Sequence, residues 1–360
     1  MTRGKLVAVA MSGGVDSSLA AALLQEAGYQ VVGVSMHLWC EEGEEITSSV
    51  PRCCSLRDIE DARQVCRLLD IPFYLLNLKD EFRTWVVDYF CQEYARGRTP
   101  NPCLACNQEI KFRLLLNKVL GWGADYLATG HYARIEQADG EYRLLQAVDP
   151  LKDQSYFLYM LGQRELAHLL FPMGHYYKRE ARQLARQRGL PIASKRDSQE
   201  ICFLPGGDYR SFLSQRLSPS PGDVVDAQGN PLGQHQGIAY YTVGQRHGLG
   251  IASSQPLYVL RLDPATNRVI LGTWEELHHL ALSASNLHWV SGHPPPMPLE
   301  VTAKIRYQSP PAQATLYPHP DGVEVRFQIH QRQIAPGQAV VFYQGEMVLG
   351  GGIIEGPVPI

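Results

Sequence analysis

Two stretches of this chain put together residue types that could do chemistry. The first is Ser12-Gly13-Gly14-Val15-Asp16-Ser17-Ser18. Adjacent glycines let a backbone turn sharply and come close to a ligand. If a helix opens here, its free N–H groups and dipole favour an anion. Ser12, Ser17 and Ser18 add hydroxyl donors. Asp16 is out of place beside a phosphate unless a cation stands between them, which marks it as a Mg2+ contact. No Lys-Ser or Lys-Thr pair follows, so the run is not a Walker A loop. The plainer reading is a helix cap with an aspartate in its first turn. The full run, placed after a strand, favours a nucleotide.

The second stretch is Thr99-Pro100-Asn101-Pro102-Cys103-Leu104-Ala105-Cys106-Asn107, a C-x-x-C, with Cys202 about a hundred residues on. The prolines disfavour helix in the residue before each. A helical pattern then runs from Ile110 to Leu120, and a cysteine near a helix N-terminus has its thiolate stabilised. Cys106 is so placed. Three readings stay open for Cys103, Cys106 and Cys202. They are buried structural residues. Or one thiol carries sulfur as a persulfide that another resolves. Or all three hold a [4Fe-4S] cluster with one iron left open. Structural zinc suits three thiolates less well, since it wants a fourth ligand. Cys40, Cys66 and Cys91 read as structural, and Cys53-Cys54 carries no assignment.

The elements that must position these groups alternate. Apolar runs at 5–10, 31–36, 72–76 and 125–129 read as strands, and 17–27 and 55–69 as helices. That order predicts a doubly wound parallel α/β sheet. Leu56, Ile59, Ala62, Val65, Cys66 and Leu69 share one helical face. Beyond Gly206 short alternating runs at 224–226, 257–262, 301–307, 323–329 and 339–343 read as strands of small barrels. Eight of the 24 prolines and all eight cysteines fall before residue 206, and sixteen prolines after it. The expected units are 1–205, a small mostly-β unit at 206–280, and a β-barrel at 281–360.

The 360 residues carry a formal charge of −3 and are 45% apolar, which excludes a disordered or uniformly basic chain. No apolar run reaches membrane-spanning length, and Met1 to Val9 lacks a signal-peptide pattern. The expectation is a cytosolic protein with no membrane contact. In a reducing compartment, clustered cysteines point to metal or catalysis rather than a disulfide framework. Residues 178–196 hold seven basic residues against one acidic, Glu180, a local +6 suited to RNA phosphates. Helices over 163–170 and 176–188 would display it.

The first run resembles the signature of the PP-loop ATP pyrophosphatases, SGGxDS. Further runs extend the likeness: Gly97-Arg98-Thr99-Pro100-Asn101-Pro102, Cys106-Asn107, Ala128 to Arg134, Lys152 to Leu158, Ile201-Cys202-Phe203 and Tyr240 to Arg246. With them the chain resembles the bacterial tRNA-uridine 2-sulfurtransferases (tRNA-specific 2-thiouridylases, the MnmA family). The resemblance implies a PP-loop (adenine nucleotide alpha hydrolase-like) domain, a small central domain and a C-terminal β-barrel that helps recognise tRNA. It implies ATP with Mg2+, and 2-thiolation of the wobble uridine. Adenylation of the C2 oxygen would release pyrophosphate, and sulfur transfer would release AMP.

Residue by residue, the resemblance makes Cys106 the nucleophile and Cys202 the persulfide bearer, joined in a transient disulfide. It puts Ala10, Met11, Ser12, Gly13, Gly14, Val15, Asp16, Ser17, Met36 and Gly130 at ATP. It places Asn101, Pro102 and Cys103 at the target base, and His131, Lys152, Asp153, Gln154, Arg306, Tyr307 and Gln338 at tRNA. It implies tRNAs for lysine, glutamate and glutamine, a cysteine desulfurase or sulfur-relay protein as donor, and a monomer. Well-known members carry Asp where this chain has Cys103, and cysteine cannot reproduce carboxylate chemistry at the same pKa. The persulfide and iron–sulfur routes therefore both stand. So do an ATP-dependent amide ligase, sulfuration of another base, and a non-enzymatic Fe–S or zinc RNA-binding protein.

Overall fold

The computed structural model describes residues 4–39, 56–197 and 201–359. Cys40, Cys53 and Cys54 lie outside them. The first sheet is built from β1 (Leu6–Ala10), β2 (Gln30–His37), β3 (Phe73–Asn77), β4 (Tyr126–Ala128) and β7 (Leu169–Leu170). It is wholly parallel, in the order β3-β2-β1-β4-β7. β1 is fully apolar at its centre, with Val7, Ala8 and Val9 at zero exposure, as a strand covered on both faces must be. Helix α1 (Val15–Glu26) follows β1 and buries Leu19, Ala20, Ala21 and Leu24. It ends where Gly28 takes the left-handed φ of +87° that a helix stop favours.

Helix α2 (Leu56–Leu68) buries Ile59, Ala62, Val65 and Cys66, as its spacing predicts, whereas Leu56 at its first turn is exposed. The Cys66 sulfur packs where a Cβ on Gly33 of β2 would stand, and burial pushes its thiol up to about 11. Burial also raises the Cys91 thiol. Both behave as the structural cysteines expected.

The predicted helix over 163–170 is only half present. One turn forms at Gln163–Leu166, and then Leu169–Leu170 turns into the edge strand β7. β4 needs a partner on that side: the Leu127 amide donates to the His168 carbonyl at 2.9 Å and the Thr129 amide to Leu170 at 3.2 Å. Leu169 is buried by the same move.

The second sheet is small: β8 (Gly222–Asp226), β9 (Pro231–His235), β10 (Tyr258–Asp263) and β11 (Arg268–Gly272), in the order β10-β11-β8-β9. The third holds β12 (His278–Trp289), β13 (Leu299–Lys304), β14 (Ala312–His319), β15 (Gly322–Arg332), β16 (Ala339–Gln344) and β17 (Met347–Pro357). β12 pairs with both β15 and β17, which closes these strands into a barrel. Inward residues such as Leu282, Val301, Leu316, Val325 and Phe342 fill it.

Sequence periodicity did not anticipate the hairpin β5 (Ala133–Ala138) and β6 (Glu141–Gln146). It leaves the parallel sheet after β4 and adds to β17, with Met347 opposite Leu145. Tyr156, buried completely, makes a second tie by donating its hydroxyl to the Ala339 carbonyl at 2.9 Å. Tyr156→Phe leaves that carbonyl without its buried donor, at a cost of about 1–3 kcal/mol. The expected outcome is a lower urea midpoint with unchanged secondary structure; an unshifted midpoint would remove this tie from the fold.

Candidate active site

The strand order places a switch point at β1. The chain leaves it through α1 toward β2 on one side, while β4 lies on the other. Open α/β sheets bind ligands in the crevice outside the carboxyl ends of strands at such a point. Here the crevice is walled by Ser12-Gly13-Gly14 after β1 and by Thr129-Gly130-His131 after β4. Gly13 has φ of +67°, and a Cβ on it would run into the Asp58 carbonyl. A Cβ on Gly130 would lie 2.6 Å from the Ser17 amide nitrogen, so only glycine lets this loop cross the first turn of α1. Met36, buried at the end of β2, lies two residues past Val34, the partner of Ala10. The register thus gathers Ala10 to Ser17, Met36 and Gly130 at one end of the sheet.

The loop is braced from within. The Ser12 amide donates to Ser17 Oγ at 3.1 Å, and the two hydroxyls lie 3.2 Å apart. The Met11 carbonyl accepts from Ser35 Oγ at 2.8 Å. Ser18 was expected to offer its hydroxyl to the ligand. It is instead fully buried and donates to the Gly14 carbonyl at 2.8 Å, closing its own helical turn.

Charge collects over this loop. Asp16 accepts from Lys178 Nζ at 2.8 and 2.7 Å and from the Tyr132 hydroxyl at 2.8 Å. Burial, then the Asp16 charge, raises the Tyr132 phenol, which therefore stays a donor. Asp197 holds Lys178 at 2.9 Å, Lys152 at 2.8 Å and Arg182 at 2.7 Å. Lys195 bridges the Gly13 carbonyl at 2.8 Å, Asp58 at 2.6 Å and Asp61 at 2.5 Å.

This overturns part of the basic-segment reading. Lys178, Arg182, Arg188 and Lys195 are paired with acids, Arg188 with Glu26 at 2.7 Å. Arg179, Arg186 and Arg196 make no ion pair among the described residues. Lys178 and Lys195 are loop-facing cations that the sequence offered only as members of a basic run. Lys178 opens the helix Lys178–Gln187, and nothing in the spacing said which loop it would face.

The thiols stand on and beside a helix. Helical structure begins at Pro102 and continues to residue 121, passing through a wider π-type stretch at Cys106–Leu115. Asn101 caps it, accepting the Cys103 amide at 3.1 Å, and Pro102 occupies the first turn. The start is therefore earlier than the pattern predicted, because a capping Asn followed by proline is itself a start signal. Cys103, exposed, takes the first turn, and Cys106, half-buried, sits one turn in. Cys202 is also half-buried. Its neighbour Phe203 is wedged among Phe82, Phe90, Phe212 and Trp39. Cys106 and Cys202 pack against one apolar core that also holds Met36 and touches Ala10. Among the described residues, no group of three or more His, Cys, Asp or Glu side chains is disposed to hold a metal ion.

Several residues expected at tRNA face inward. Asp153 is buried and accepts the Ala147 amide at 3.0 Å and the Ser155 hydroxyl at 2.8 Å. Gln154 accepts the Tyr132 amide at 3.0 Å. His131 contacts Thr129 Oγ1 at 2.6 Å and is flanked by Phe112 and Phe171. Burial, then the Lys111 charge, holds its imidazole well below its usual range. Arg306 donates to Gln333 at 3.1 Å, Tyr307 packs on Phe157 with ring centres 4.4 Å apart, and Gln338 donates to the Thr99 carbonyl at 2.8 Å.

A parallel sheet with a Ser-Gly-Gly-x-Asp-Ser turn at its switch point marks the PP-loop class of ATP-using proteins, and in this chain two β domains follow it. The family model described as "tRNA methyl transferase HUP domain" matches residues 5–206. Those described as "tRNA methyl transferase PRC-barrel domain" and "Aminomethyltransferase beta-barrel domain" match residues 210–273 and 279–354. The "tRNA-specific 2-thiouridylase MnmA" of Magnetococcus marinus is 51% identical over 358 residues, 98% of this chain and 100% of that one. The protein of the same name from Clostridium perfringens is 48% identical over 358 residues, 99% of each chain. The chain belongs to the tRNA-specific 2-thiouridylase MnmA family.

Gly130→Ala should weaken ATP binding by about tenfold or more by pushing the loop off α1. Titration calorimetry checks this; wild-type affinity would mean that the crevice does not hold the nucleotide. Asp197 carries a pH signature. Burial pushes its carboxyl up, but hydrogen bonds from Lys152 and Lys178 outweigh it and hold the group at about 2. A depressed carboxyl contributes stability that is complete above its unfolded value of 3.8 and is lost as pH falls through about 2. The stability gap between wild type and Asp197→Asn should stay constant from neutral pH to about 4 and shrink below it. A gap that closes at higher pH would contradict the network.

Proposed function

We propose that this protein 2-thiolates the wobble uridine of tRNA with ATP, sulfur arriving as a persulfide on Cys202. The observation that carries this is one apolar core shared by the ends of β1 and β2, beside the nucleotide crevice, and by Cys106 and Cys202. The matching family models speak of methyl transfer and the relatives' names of thiolation. Two thiols packed on the same apolar core as the ends of β1 and β2 favour sulfur.

In the first step the uridine C2 oxygen attacks the α-phosphorus, the bond to pyrophosphate breaks, and N3 gives up its proton. Asp16 is the residue that would hold Mg2+, exchanging its pairing with Lys178. The metal would neutralise phosphate charge there. Lys178 and the N–H groups opening α1 also face the phosphates. The target base must leave its stack to be reached.

The terminal sulfur of the Cys202 persulfide then attacks C2, and AMP leaves with the former uridine oxygen. The Cys106 thiolate attacks Cys202 Sγ. The S–S bond breaks, its electron pair stays on the uridine sulfur, and a Cys106–Cys202 disulfide forms. A thiol reductant returns both cysteines with two electrons. No step is routed through an iron–sulfur cluster.

This reading assigns ATP activation to residues 1–205 and shares RNA recognition with 206–280 and 281–360. It takes the tRNAs for lysine, glutamate and glutamine as substrates. A cysteine desulfurase or relay protein is the donor, and the enzyme is a cytoplasmic monomer. With total tRNA, ATP and a persulfide donor, the protein should release pyrophosphate and form 2-thiouridine detectable by nucleoside mass analysis. Cys106→Ser should still release pyrophosphate while losing about a hundredfold or more of thiouridine formation. Pyrophosphate release with ammonia incorporated instead of sulfur would establish the amide-ligase reading in its place.

A further inference from the structure

The segment that leads into the thiol helix is fastened to the far end of the chain. The Thr99 amide donates to the Pro336 carbonyl at 2.7 Å, and Gln338 Nε2 donates to the Thr99 carbonyl at 2.8 Å. Gly337, at φ of +90°, lets the two backbones close up: a Cβ there would lie 3.0 Å from the Thr99 nitrogen. Beside this seam the Arg98 guanidinium is held at both ends. Its Nε donates to Glu93 at 2.8 Å, and Glu93 is buried in the helix Tyr89–Ala95 of the first domain. Its Nη1 and Nη2 donate to the two carboxylate oxygens of Glu355 in β17, at 2.5 and 3.3 Å. Glu355 also accepts from Ser285 Oγ of β12, across the strand pair that closes the barrel.

From Arg98 the chain runs only through Thr99 and Pro100 to the Asn101 cap and then Cys103 and Cys106. Two prolines and a satisfied cap leave little slack between the guanidinium and the thiols. A planar, bidentate pair fixes direction as well as distance.

We propose that Glu355 is a positioning residue for sulfur transfer: through Arg98 it makes the C-terminal barrel the reference against which the thiol helix is set. This rests on the function proposed above. The nucleotide crevice, built on β1, β2 and β4, makes no use of the strut, so the strut governs the second half of the reaction and not the first.

The test compares Glu355→Ala and Glu355→Gln with wild type, in the full chain, for three readouts: pyrophosphate release, 2-thiouridine formation, and the iodoacetamide alkylation rates of Cys103 and Cys106. For Glu355→Ala, kcat for thiouridine formation should fall about ten- to a hundredfold, as misplaced reacting groups do. KM for ATP and pyrophosphate release should stay within about twofold, and the alkylation rates should change several-fold. Glu355→Gln keeps an oxygen for Arg98 and should recover much of the thiolation. Wild-type thiolation by Glu355→Ala overturns the proposal. So does an equal fall in pyrophosphate release and thiouridine, which a merely folding-impaired variant would give. If wild type releases pyrophosphate but forms no thiouridine, the proposed function fails. The alkylation rates then still decide the strut, unchanged rates overturning it.

Discussion

The site depends on one close approach of backbone to backbone. The loop after β4 crosses the first turn of α1 at Gly130, with no room for a Cβ over the Ser17 amide. β1 and β4 are paired neighbours, but the chain leaves β1 through α1 toward β2 and leaves β4 toward the hairpin, and the crevice is the gap between those two departures. Gly13 does the same on the other wall, turning the loop beneath the Asp58 carbonyl. Because the approach is made by main chain, what the loop offers the proposed nucleotide is N–H groups fixed by the fold, not side chains that must be ordered when a ligand arrives.

Concentrating positive charge beside such a loop would cost solvation and self-repulsion if it were left unbalanced. The structure balances it with aspartates. Asp16 and Asp197 share Lys178, while Asp58 and Asp61 share Lys195. The cations are thereby oriented in advance, and a bound polyanion can compete for them. The near-neutral total charge of the chain and its basic segment are thus two views of one arrangement, since Asp197 adjoins the segment and Asp16, Glu26, Asp58 and Asp61 reach it from far away in sequence.

How much of this was legible depended on how local each determinant is. The apolar run of β1, the Gly-Gly turn and the spacing of α2 are local, and the parallel sheet followed from them. The edge strand at Leu169–Leu170 was not legible, because a pattern that suits a helix there was overruled by the unpaired side of β4. The hairpin Ala133–Ala138 and Glu141–Gln146 belongs by sequence to the first domain and by hydrogen bonds to the barrel. At the site, the loop residues and the cysteines were readable by type. The inward turn of Asp153, the diversion of Ser18 into its own helix and the partners of Lys178 were not, because each is fixed by a contact remote in sequence or by the exact turn of a loop.

The β domains do more than add surface. The barrel reaches the thiol helix through Arg98 and Gln338, and the parallel sheet through Tyr156 and the hairpin. The loop after β1 and the thiols are therefore held in one frame, as the proposed reaction in two halves on the same base requires. The most direct measurement follows the oxygen that leaves. Uridine carrying a heavy-oxygen label at C2 in an anticodon substrate should hand that label to AMP as the thiouridine forms. Unlabelled AMP alongside newly made 2-thiouridine would contradict adenylation of the base at this crevice.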